Sequence, residues 1–138
     1  MTESSEERLL PDPDPVSQPF WDALHEHRLV LQKCGQCGAI RHYPRPVCDK
    51  CYSLEVEWAD ASGKGTVHSW TVSHHAFHIS FKRDLPITLA LVDLDEGVRL
   101  NCQLKGIDPE DIRIGMPVTV GFEDLTDDVT VPVAFPDM

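Results

Sequence analysis

The chain lacks any long apolar run. No segment of its 138 residues approaches the roughly 20 consecutive apolar positions that a membrane helix needs. It also lacks a basic leader, because Met1-Thr2-Glu3-Ser4-Ser5-Glu6-Glu7 is acidic where a secretory signal is positively charged. Both absences predict a soluble, cytoplasmic protein with no membrane partner. Basic residues are scarce, 12 against 23 acidic ones, and the formal net charge of −11 repels phosphate backbones at long range. Aromatic residues are only 7% of the chain, so a stacking platform for single strands has few candidates beyond Trp70, Phe77 and Phe81. There is no G-x-S-x-G elbow, no phosphate-cradling glycine loop and no dinucleotide fingerprint.

Against these absences stand two knuckles, Cys34-Gly35-Gln36-Cys37 and Cys48-Asp49-Lys50-Cys51, separated by ten residues. Each knuckle brings two sulfurs to one ion, and four thiolates close a tetrahedral shell. A shell filled by four protein ligands leaves no open position for water, so the expected ion is a structural zinc; iron fits the same spacing. Disulfides are disfavoured where the compartment is reducing. Gly35 and Gly38 supply the permissive backbone of a tight knuckle. From residue 28 to 52 the chain carries five bases and one acid, so the ribbon is cationic on an acidic molecule even after a zinc–thiolate cluster removes two charges.

Apolar residues make up 41% of the sequence, enough for a real but modest core. Residues 1–16, rich in Glu, Ser and alternating Asp and Pro, read as a disordered acidic tail. Residues 17–58 read as a helix plus zinc ribbon. Ser17 is placed to cap the helix, with Pro19 in its first turn and Phe20, Trp21, Leu24 and Arg28 at helical spacing. Strands are expected at residues 29–33, 40–44 and 54–58.

Residues 59–138 have the rhythm of a small barrel. A strand opens at Gly63-Lys64-Gly65 and runs to residue 72; a second spans 86–95, with Ile87, Leu89 and Leu91 on one face. A third turns Val98, Leu100, Cys102 and Leu104 inward and Arg99, Asn101 and Gln103 outward, joined to the second by the hairpin Asp95-Glu96-Gly97. Asp108-Pro109 starts a short helix that Gly115 ends, and Val118, Val120 and Phe122, then Val131, Val133 and Phe135, mark two more strands. Three strands, a helix and two strands make a five-stranded barrel of the OB type. The predicted fold is therefore mainly β: an N-terminal helix and rubredoxin-like zinc ribbon, then an OB-fold barrel.

The aromatic helix Pro19-Phe20-Trp21, the two knuckles, the strand Gly63-Lys64-Gly65-Thr66-Val67, the hairpin Asp93-Leu94-Asp95-Glu96-Gly97-Val98-Arg99 and Gly115-Met116-Pro117-Val118 together resemble the DUF35 family of zinc-ribbon and OB-fold proteins. The resemblance implies a non-catalytic accessory subunit of an acyl-CoA-processing complex, a hetero-oligomer. The implied partner is a thiolase-like aldolase performing retro-aldol cleavage of a β-hydroxyacyl-CoA, as in steroid side-chain degradation. A MaoC-type enoyl-CoA hydratase, or a bridge between a thiolase and a 3-hydroxy-3-methylglutaryl-CoA synthase, is the alternative. It also implies Cys34, Cys37, Cys48 and Cys51 as zinc ligands and offers no catalytic motif. With no hydratase domain in the sequence, the chain looks like the stand-alone form. A single-stranded nucleic-acid-binding module is the competing reading from a different class.

Three histidines, His74, His75 and His78, lie close together on the connection after the first barrel strand, where OB barrels place binding loops. Neighbours on a strand point to opposite faces, and no carboxylate partner lies nearby, so no catalytic residue is assigned. With Phe77 they are read as partner-interface candidates, as are Phe20, Trp21 and Leu24, whose alternative is packing within the chain. His25 and His27 are expected to be solvated, Cys102 to be a buried inert thiol, and Asp93 and Asp95 to flank a hairpin.

Overall fold

The computed structural model describes residues 10–74 and 86–137. Helix α1 (Gln18–His25) is entered through a turn capped by Asp14, not Ser17. The Ser17 N–H donates to Asp14 Oδ1 at 2.8 Å while the Asp14 N–H donates to Ser17 Oγ at 3.2 Å, a reciprocal box one turn ahead of the helix. Asp-Pro at residues 14–15 suits that role, since proline has no N–H to orphan. Helix α1 ends when His27 takes a left-handed φ of 59° and the N–H groups of His27 and Arg28 fold back on Leu24 and Ala23 carbonyls. Arg28, expected as a helical position, therefore lies beyond the helix and pairs with Asp60 at 2.8 Å.

Strands β1 (Val30–Cys34), β2 (Ile40–Arg41) and β3 (Val56–Asp60) form an antiparallel sheet in the order β2-β1-β3. Strand β1 is central and buried at four of its five positions, which places Cys34 at the end of a fixed ladder. Three residues after β3 the chain enters β4 (Lys64–Ser73), followed by β5 (Ile87–Leu94), β6 (Arg99–Leu104), β7 (Pro117–Asp124) and β8 (Thr130–Pro136). These five close into a barrel in the order β4-β5-β6-β8-β7, the Greek-key order of an OB fold. The expected helix between β6 and β7 is a single 3₁₀ turn, Pro109–Asp111. A bulge between Val67 and Ser69 bends β4 around the corner that closure requires. Gly65 permits the tight approach of β4 to β5, because a Cβ there would sit 2.5 Å from the Asp93 carbonyl oxygen.

Strand β6 buries Leu100, Cys102 and Leu104 as its alternation predicts. Strand β5 does not follow the simplest pattern: Thr88, Ala90, Val92 and Leu94 face the core, and Ile87, Leu89 and Leu91 form the outer face. Both faces of β5 are largely apolar, so alternation alone does not set which one turns inward.

The weakest seam of the barrel lies between β6 and β8. They are parallel and register only at Gln103 with Val133 and Leu104 with Ala134. Pro132 has no N–H to give to another rung, and beyond it the strands part. Phe20, Leu24, Leu29 and Leu31 of the first module join Val67, Val92, Leu100, Val118 and Ala134 of the barrel in one buried cluster. Among the described residues no helix is long and apolar enough to cross a membrane.

Candidate functional site

The two knuckles meet. The sulfurs of Cys34, Cys37, Cys48 and Cys51 all lie within 4.8 Å of one another, with Cys34–Cys51 at 3.5 Å and Cys37–Cys48 at 3.7 Å. Zinc–sulfur bonds of about 2.3 Å in a tetrahedron give sulfur–sulfur edges of about 3.8 Å, so the donor set fits a tetrahedral metal ion. Backbone N–H groups favour the thiolate form at two of the four sulfurs. The N–H groups of Cys37 and Gln36 both donate to Cys34 Sγ at 3.4 Å and hold its thiol down to about 6. The N–H groups of Cys51 and Lys50 lower Cys48 in the same way. Gly38, with φ of 79°, turns the first knuckle and donates its N–H to the Cys34 carbonyl. The second knuckle is held from behind, because the Arg45 N–H donates to the Oε1 of fully buried Gln32 at 2.8 Å.

Four sulfurs occupy all four corners, which suits a structural ion and leaves no position for a reacting water. Cys102 is buried at 6% exposure and burial pushes its thiol up to about 12. Asp93 does more than flank a hairpin: Arg99 at 2.8 Å and His68 at 3.2 Å lock it into a cross-strand ion cluster and lower its carboxyl. His25 is exposed, as expected. His27 is exposed as expected too, and it also stacks on Phe122 with ring centroids 5.2 Å apart and bonds Asp124 at 2.9 Å, tying the end of α1 to β7. No local signal in the sequence announces that contact, which joins residues 97 positions apart.

The interface candidates divide. Phe20 and Leu24 are enclosed at 2% and 0% exposure, so the apolar stripe of α1 is spent inside the chain. Trp21 is half-buried, and its indole N–H donates to Tyr43 Oη at 2.9 Å. His74 is exposed just beyond β4, while His75, Phe77 and His78 lie outside the described residues. The ribbon shows apolar surface that the sequence pattern does not flag: Tyr52 is 78% and Leu54 73% exposed, beside Val47 and Val56.

A cleft of about 520 Å³ lies between α1, the ribbon loop carrying His42 and Tyr43, and the parted ends of β6 and β8. Phe20 and Trp21 meet edge to face at 5.3 Å, and Phe20 lies 5.1 Å from the His42 ring. His42 Nδ1 is enclosed and has no partner among the described residues, and desolvation lowers the ring to about 4, so it is neutral at pH 7.

Residues 21–57 match the family model described as the ChsH2 rubredoxin-like zinc ribbon domain, and residues 58–123 match the ChsH2 C-terminal OB-fold domain. The border between the two falls inside β3. A probable enoyl-CoA hydratase alpha subunit from Thermomonospora curvata is 42% identical over 85% of this chain and 36% of its own length. The chain thus spans little more than a third of that relative. A DUF35 domain-containing scaffold protein from Methanocaldococcus jannaschii is 35% identical over 78% of this chain and 77% of its own. Among solved structures, one described as Ltp2-ChsH2(DUF35) aldolase superposes with a TM-score of 0.85 at 38% identity, covering 91% of this chain and 98% of that one.

Proposed function

The chain belongs to the DUF35 family of zinc-ribbon and OB-fold proteins, and we propose that it is a non-catalytic accessory subunit of a cytoplasmic acyl-CoA-processing complex. Its partner in this reading is a thiolase-like aldolase that cleaves a β-hydroxyacyl-CoA. The observation that carries the reading is the near-complete superposition on the DUF35 chain of an aldolase complex. The site chemistry is in keeping with it: among the described residues the four-thiolate centre is closed, Cys102 is buried with its thiol raised, and Asp93 is ion-paired. A hydratase partner is the second reading, favoured by the 42% identity to a hydratase alpha subunit.

In this proposal Cys34, Cys37, Cys48 and Cys51 hold zinc, which supplies rigidity and no reaction step. Residues 17–58 form the docking module and 59–138 the barrel. The partner meets Trp21, His74 and the exposed Tyr52 and Leu54. Co-expression with thiolase-like and hydratase proteins encoded by the same host tests this. A stable complex with turnover that neither protein shows alone is expected. Turnover of a thioester by the isolated chain, or no complex with any such protein, overturns it.

A further inference from the structure

The cleft between α1, the ribbon loop and the β6–β8 gap has the features of a binding site in its own right. Its volume of about 520 Å³ falls within the span of roughly 300–1,000 Å³ usual for small-molecule sites. Its floor is apolar: Phe20, Leu100 and Val133, which are buried, line it where the barrel seam parts. The charges on its rim are already used. Arg99 is paired with Asp93 at 2.8 Å, and Glu123 with Lys105 at 2.7 Å. Each rim charge is thus balanced by an internal partner, so these pairs give the rim no net charge that would select an ionic ligand. The side-chain amides of Asn101 and Gln103, which also line the cleft, have no partner within the described residues.

His42 adds direction. Among the described residues its enclosed Nδ1 has no hydrogen-bond partner. A bare acceptor is cheaper to leave unpaired in the interior than an N–H group, so the proton of the neutral ring belongs on Nε2. His42 thereby offers one donor and no positive charge.

We propose that this cleft binds a neutral, mainly apolar small molecule bearing a carbonyl oxygen, seated between Trp21 and the parted strands β6 and β8, with that oxygen accepting from His42. The site goes beyond an accessory role and does not depend on which enzyme the chain partners. A complex that fails to form leaves the cleft's ligand binding intact.

The test uses the full metal-loaded chain and prodan, a neutral naphthyl ketone whose emission shifts to the blue on leaving water. Saturable blue-shifted binding is expected, lost in Asn101→Trp and in Val131→Trp, each of which places an indole in the cleft. His42→Phe is expected to weaken it by about three- to tenfold, the weight of one hydrogen bond, with metal content unchanged. The sulfonated naphthalene ANS, a fixed anion, binds more weakly. In wild type, methyl resonances of Leu100 and Val131 shift on titration, a readout that survives if a tryptophan variant does not fold. No saturable signal, methyl shifts confined to other residues, equal affinity for ANS, or full affinity in His42→Phe overturns the proposal.

Discussion

Each knuckle cysteine is one quarter of a shell, and removing a single sulfur strands the other three. Structural zinc sites contribute about 10–16 kcal/mol of binding free energy to the folded state. Cys48→Ser is therefore expected to lose stoichiometric metal in elemental analysis and to melt well below wild type, and a strong chelator should reproduce the effect. Asp124 gives a pH test. Its carboxyl is held below the ordinary 3.8 by hydrogen bonds from the Thr130 hydroxyl and the His27 ring. A depressed folded value means that its stabilisation is complete above pH values near 3.8 and is lost as pH falls through the lower folded value. Melting temperature followed from neutral pH into acid should fall less steeply in Asp124→Asn than in wild type.

Strands and turns differ in how plainly the sequence displays them. Gly65 can be tested directly: a Cβ there meets backbone oxygen at 2.5 Å, with no flexible side chain to yield. Gly65→Ala should lower stability by about 1–3 kcal/mol in urea unfolding, whereas a substitution at exposed Asn101 should cost little. The metal knuckles and β6 were legible because the first is a spacing and the second a clean alternation of Leu100, Cys102 and Leu104 with polar neighbours. The inward face of β5 was not, because Ile87, Leu89 and Leu91 are as apolar as the residues that are buried. Ser17 looked like the helix cap because it directly precedes the helix, yet the carboxylate of Asp14 closes the turn before it. The cleft was illegible for another reason. Its walls come from α1, the ribbon loop, β6 and β8, and only the folded chain brings these together.

On the scale of the whole chain, the two modules share one core. Phe20 and Leu24 pack in the same cluster as Val67 and Leu100, so Leu24→Ala should cost about 2–5 kcal/mol and lower ribbon and barrel signals in a single transition. Separate transitions for tyrosine fluorescence in the ribbon and methyl signals in the barrel would contradict that. The link between the modules is three residues long and bonded along its length. The Ala61 N–H reaches the Leu29 carbonyl at 2.8 Å, the Ser62 N–H reaches Glu96 Oε2 at 2.9 Å, and the Gly63 carbonyl takes the Val120 N–H at 2.8 Å. Such a joint has no swivel. A larger body that grips the ribbon also fixes the aim of the barrel, as a bolted bracket fixes its shelf, and adding even one residue to the link would swing the barrel's mouth away from whatever it faces.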